Sequence, residues 1–193
     1  MGDLTSNFYQ DKSTSAISPS LPVGIIKYKE KWVKSNPISF EGISSQCIIR
    51  GRLDAVAAFE DGSYGIIDYK TSDASPEKAA FYSRQLSAYA YALENPATGA
   101  LHLTPITLLG LFIITPQKYE LVNNDEAAFI TQTTWMDVPR DDKGFMKFLG
   151  EVMTVLDAPQ APQPADGCTL CSYRKSMTAF KSDGSPTQLF LDF

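Results

Sequence analysis

Three side chains in the first half of the chain have the types and spacing of a reaction centre: Asp54, Asp68 and Lys70. Asp54 ends the run Gly51-Arg52-Leu53-Asp54, and Asp68 and Lys70 bracket Tyr69 in a D-x-K triplet. Two neighbouring carboxylates repel, and one of them takes up a proton unless a cation lies between them. Oxygen ligands so placed suit Mg²⁺, which keeps most of its waters and takes one or two carboxylates together with a substrate phosphate. A lysine beside such an ion can hold or help deprotonate an attacking water while the metal polarises a phosphoryl oxygen. Taken alone, D-x-K fits equally well with an ordinary ion pair on a solvated strand edge.

The flanking residues say how these groups would be positioned. Cys47 to Phe59 and Tyr64 to Thr71 read as two strands of a hairpin around Glu60-Asp61-Gly62. A two-residue Asp61-Gly62 loop would pair Asp54 with Tyr69 and put Asp54 and Asp68 on opposite faces, because side chains alternate with period two. A three-residue loop with Gly62 in the left-handed region pairs Asp54 with Asp68 and Arg52 with Lys70. That register is the one expected here, with both carboxylates and the lysine on one face. Ser75-Pro76-Glu77 then starts a helix, with a capping Ser, Pro at the first position and an acid near the positive dipole end. Tyr82, Leu86, Tyr89 and Leu93 form its apolar stripe, and Gln85 lies one turn before Tyr89 on the same side. Asn95-Pro96 ends it.

The combination G-R-L-D, a turn, G-I-I-D-Y-K-T-S and then R-Q-L-x-x-Y resembles the RecB-type branch of the PD-(D/E)xK nuclease superfamily. That branch includes the nuclease domains of bacterial helicase–nuclease complexes and the nucleases of CRISPR adaptation. The resemblance is close from Gly51 to Leu93 and loose over the C-terminal cysteines. It implies Asp54 and Asp68 as ligands of Mg²⁺ or Mn²⁺, with the Tyr69 backbone carbonyl as a third. Lys70 matches the catalytic lysine, and Gln85 and Tyr89 match helix residues that help bind the strand near the scissile phosphate. The fold it implies is α/β, a restriction-endonuclease-like core with a twisted mixed sheet flanked by helices. Family members commonly place a His or Glu on a helix before the first catalytic strand. Here the single histidine, His102, lies downstream, and Glu41 is the nearest acidic candidate upstream.

The rest of the chain bounds these expectations. Its 193 residues, 44% of them hydrophobic, can enclose one core. A net charge of −5 argues against a protein that coats nucleic acid through a broad basic surface, but not against a local metal site and groove. No apolar run approaches membrane-span length and no signal pattern opens the chain, so a cytoplasmic protein without membrane contact is expected. Residues 1–22, rich in Ser and Thr, read as an irregular lead-in; residues 23–157 read as the nuclease-like core; residues 158–193 read as a Pro-rich connector and C-x-x-C segment.

Within that core, Val23 to Val33 reads as a strand with Lys27, Lys29 and Lys31 on one face and Tyr28 and Trp32 on the other. This is either a nucleic-acid surface or a half-buried strand with solvated lysines. Ile106 to Thr115 suits a strand buried on both faces, Lys118 to Val122 a partner for it, and Thr133 to Val138 an edge strand. Gly144 to Leu156 reads as an amphipathic helix on the sheet.

Cys168 and Cys171 form a C-x-x-C followed by Tyr173 and Arg174, as in iron–sulfur members of the family, but Met177 stands where a third Cys would be. Cys47 is the one other thiol, so an iron–sulfur cluster within one chain is not expected, and a zinc site lacks ligands. Two functions remain in view. One is a metal-dependent DNA nuclease, an exonuclease on ends or single strands in repair, recombination or phage/CRISPR defence, with a helicase or recombination partner. The other is a catalytically inactive module of the same fold that binds DNA or protein.

Overall fold

A computed structural model of the chain describes residues 2–73 and 75–181. The chain separates into two compact units, Met1–Asp157 and Ala158–Phe193.

The first unit is built on a five-stranded sheet of order β1-β2-β3-β4-β5, with β1 Gly24–Lys34, β2 Arg50–Phe59, β3 Tyr64–Thr71, β4 Ile106–Leu121 and β5 Ala127–Asp137. All neighbours are antiparallel except β3 and β4, which run parallel. A parallel pair needs a crossover, and helix α2, Pro76–Glu94, supplies it. With further helices at Gly2–Tyr9 (α1) and Asp142–Asp157 (α3), this is the mixed α/β architecture the sequence implied.

The hairpin β2–β3 turns through Glu60-Asp61-Gly62. Gly62 lies at φ 85°, where a side chain would be strained, and its N–H donates to the Phe59 carbonyl at 3.1 Å. Asp61 fixes the turn by accepting the Ser63 N–H (2.9 Å) and hydroxyl (2.7 Å), which hold its carboxyl below the ordinary range. The loop therefore has three residues, and the register runs Ala58↔Tyr64, Ala57↔Gly65, Val56↔Ile66, Ala55↔Ile67. Carried one step further, it sets Asp54 opposite Asp68.

Each face of the sheet carries apolar side chains. On one face Leu53, Val56, Ile66, Leu109, Leu111 and Ile113 meet Leu86, Ala90 and Leu93 of α2. Leu86 and Leu93 are fully buried, worth about 1.5–3 kcal/mol each relative to exposure. On the other face Ile26, Ala55, Ala57, Phe59, Ile67 and Phe112 lie under Ile17, Leu21 and Tyr9.

Several expectations need correcting. Residues 1–22 are not irregular throughout: α1 and a 3-10 turn at Thr14–Ala16 are formed, and Tyr9 packs edge-on to Phe112 with centroids 5.1 Å apart. Lys118 to Val122 is not a separate strand. β4 runs through to Leu121, passing Pro116 at a register shift that spares the ladder a missing N–H, and pairs with the whole of β5. The alternation expected for β1 is broken by a register shift between Ile26 and Tyr28 and by Glu30 at φ 48°. Helix α3 packs on α2 rather than lying on the sheet: Phe145 sits 6.5 Å from Tyr91, and the Arg84 guanidinium lies 4.1 Å over the Phe148 ring.

The second unit contains helix α4, Thr169–Lys181; residues 182–193 of the expected C-x-x-C segment lie outside the described residues. The Cys171 N–H donates to Cys168 Sγ at 3.4 Å, a contact that pulls the Cys168 thiol below its usual range, while Cys171, sharing its proton with that sulfur, is pushed up. Among the described residues no group of three His, Cys, Asp or Glu is placed to hold a metal ion.

Candidate functional site

Asp68 and Lys70 sit on β3 with the parity of Tyr64 and Ile66, which face α2. Asp68 is 2% exposed. Lys70 Nζ lies 2.6 Å from Asp68 Oδ2 and 4.4 Å over the ring of Tyr82 on α2. Burial pushes the Asp68 carboxyl up; the lysine opposes that shift and the nearby Asp54 charge adds to it. Apart from the ion pair, Asp68 Oδ2 has no hydrogen-bonded partner among the described residues, so a buried carboxylate oxygen is left with coordination to spare.

Asp54 reaches the same place from β2 by a different route. The regular β2–β3 pairing stops at Ala55↔Ile67. Beyond it the Tyr69 N–H, which a continuing ladder would give to the Leu53 carbonyl, donates instead to Asp54 Oδ2 at 2.8 Å. The half-buried Asp54 carboxylate thus fills the gap where the two strands part, beside the backbone that carries Asp68 and Lys70. Arg52, expected to lie beside Lys70, does not: it points to the opposite face and pairs with Glu30 at 3.1 Å.

The helix residues come together above this gap. Gln85 Nε2 donates to the Tyr89 hydroxyl (3.1 Å), and that hydroxyl donates to the Arg52 carbonyl (3.1 Å). Gly51 makes the approach possible, since a Cβ there would stand 2.8 Å from Tyr89 Cε1. The glycine of the G-R-L-D run is therefore a matter of space for an aromatic ring, which sequence spacing alone did not disclose.

Asp54, Asp68 and the Tyr69 carbonyl are oxygen donors of the hard kind that Mg²⁺ accepts, and Asp68 Oδ2 is shared with the Lys70 ammonium. With no third ligating side chain alongside among the described residues, an ion held there would keep several waters. The remaining candidates stand apart. Helix α1, sequence GDLTSNFY, precedes the strands but carries no His or Glu. Glu41 is exposed in a turn before β2, and His102 is exposed in the connection from α2 to β4. Glu30, not singled out from the sequence, occupies the β1 position facing Asp54, between the pairs Lys29↔Ala55 and Lys31↔Leu53, but its carboxylate is engaged by Arg52.

Among the described residues, no helix is long and apolar enough to cross a membrane. No curated protein matches the sequence. Among solved structures, the crystal structure of SSO0001 matches at 18% identity with a TM-score of 0.42, covering 82% of this chain and 60% of that one. A model of the PD-(D/E)XK nuclease superfamily matches residues 7–176, a span that takes in the whole sheet, all the site residues described above and the C-x-x-C. The chain belongs to the PD-(D/E)XK nuclease superfamily.

Proposed function

We propose that the protein is a Mg²⁺- or Mn²⁺-dependent deoxyribonuclease of the RecB-type branch that hydrolyses phosphodiester bonds at ends or in single strands. The observation that carries this reading is the convergence of Asp54, Asp68 and Lys70 at the point where β2 and β3 part. Asp54, Asp68 and the Tyr69 carbonyl would hold the ion, which when bound supplies charge stabilisation at the phosphoryl oxygens. Lys70, whose ammonium is steadied by Asp68 and the Tyr82 face, orients the attacking water and takes part in its deprotonation. Tyr89 and Gln85, locked to each other and to the Arg52 carbonyl, form a fixed rim for the substrate strand beside the scissile phosphate. Exonuclease action, and service to a helicase or recombination partner, rest on the sequence resemblance to that branch.

One observation favours the inactive-module reading: the Lys70 ammonium is engaged by Asp68, and among the described residues no third ligating side chain stands near. Calorimetric titration with Mn²⁺ separates the two. The nuclease reading expects saturable binding that is lost in Asp68→Ala; a folded wild type with no Mn²⁺ affinity would overturn it.

A further inference from the structure

Trp32 is 62% exposed on β1, an edge strand. Its cross-strand partner on β2 is Arg52, and the adjacent pair is Lys34↔Arg50. The Arg50 guanidinium lies 5.3 Å over the indole ring. Val33, Gly51 and Leu53, which alternate with these residues, face α2. Trp32, Lys34, Arg50 and Arg52 therefore share the opposite, open face. All four are exposed, and among the described residues Glu30 beside Arg52 is the one acidic side chain paired with them. In a chain of net charge −5 this is a local concentration of cations around an exposed aromatic ring.

We infer that this face binds single-stranded nucleic acid, with Trp32 stacking on a base and Lys34, Arg50 and Arg52 contacting backbone phosphates. The chemistry favours that ligand over a protein surface. An aromatic platform flanked by cations matches the alternation of base plane and phosphate along a single strand. In a duplex the bases are stacked on one another and the ring has nothing to receive. For its role in catalysis this inference rests on the function proposed above. Arg50 and Arg52 precede Asp54 on the same strand, and Arg50 is about 13 Å from Asp54 along extended backbone. Asp68 and Lys70 face α2 on the other side of the sheet, so a strand held over Trp32 would reach them only by passing round the parted end of β2 and β3.

Binding is measured without divalent metal, so that cleavage plays no part. A fluorescein-labelled oligothymidylate is titrated with wild type, Trp32→Ala, Trp32→Phe and Arg50→Ala, and fluorescence anisotropy is read at several salt concentrations. Trp32 is on the surface, and matching thermal melts confirm that the variants fold. Trp32→Ala is expected to weaken binding by roughly 5- to 150-fold, the range for losing one base–aromatic stack. Trp32→Phe should keep most of the affinity. Arg50→Ala should flatten the salt dependence by about one phosphate contact. A labelled hairpin duplex should bind more weakly than the single strand. Trp32→Ala binding like wild type, Phe as damaging as Ala, or a preference for the duplex would each overturn the inference. Cleavage with metal is followed separately. If Trp32-dependent binding persists and no protein cleaves, the nuclease reading fails and this one stands; if Trp32→Ala both binds and cleaves like wild type, this one fails alone.

Discussion

The Tyr69 N–H donates to the Asp54 carboxylate at 2.8 Å, at the point where the β2–β3 ladder would otherwise have used a backbone carbonyl. Asp54 is thus both a strand-closing acceptor and a candidate metal ligand, and the two roles can be separated. Asp54→Asn retains an oxygen acceptor for that N–H and should unfold in urea close to wild type. Asp54→Ala leaves a part-buried donor without its partner and should lose about 1–3 kcal/mol. Both should abolish cleavage. Equal stability for Ala and Asn would show that the bond contributes nothing to the fold.

Asp68 should leave a signature in stability against pH. Its carboxyl is raised in the folded state, chiefly by burial, so the folded protein holds that proton more tightly than the unfolded chain does. The linked contribution is fully present below about pH 4, the unfolded carboxylate value, and is lost as pH rises through the raised folded value. Asp68→Asn removes this dependence. Without metal, the stability of wild type relative to Asp68→Asn should therefore fall as pH increases through that window, read from urea midpoints. A relative stability that rises there would mean that the lysine, not burial, controls the group.

Gly51 and Tyr89 should behave as one unit. Gly51→Ala forces the Tyr89 ring away from a contact of 2.8 Å and so disturbs the hydroxyl that bridges Gln85 and Arg52. Tyr89→Phe removes the same bridge without the clash. Both variants should raise KM more than they lower kcat, and the double variant should be less damaging than the sum of the singles. Strict additivity would place the two residues in separate roles.

Arg140 fastens α2 to the start of β4 and to α3. It donates to both oxygens of Glu94 (3.1 and 2.5 Å), to the Ile106 carbonyl and, through Nε, to Asp142 (2.7 Å). Arg140→Ala should destabilise by about 2 kcal/mol, and Arg140→Lys should recover little of it, because a point charge cannot reproduce the fork. Chemical denaturation of the three proteins checks this, and full recovery by Lys would contradict it.

What could be read from the sequence depended on whether local chemistry or tertiary packing made the choice. The hairpin register was legible because Gly62 can close a three-residue loop and the side-chain alternation then follows. Helix α2 was legible from Pro76, the Tyr82–Leu93 stripe and Asn95-Pro96. The length of β4 was not, since Pro116 signals a break and only the shifted register past it lets the strand continue. Nor was α1, whose Ser- and Thr-bearing turns are weak helix formers and which is held by Tyr9 against Tyr69 and Phe112. At the site, the alternation that should have put Asp54 squarely beside Asp68 gives way because the strands part. The Asp54 carboxylate lies between them, a placement no periodicity encodes.

The most direct test of the central claim is the degradation of end-labelled single- and double-stranded DNA with Mg²⁺ or Mn²⁺, comparing wild type with Asp68→Ala and Lys70→Ala. The expected result is metal-dependent cleavage by wild type, none detectable with Asp68→Ala, and a loss of roughly 100-fold or more with Lys70→Ala. A folded wild type that binds Mn²⁺ and DNA yet cleaves neither substrate, or a Lys70→Ala variant that cleaves at the wild-type rate, would contradict it.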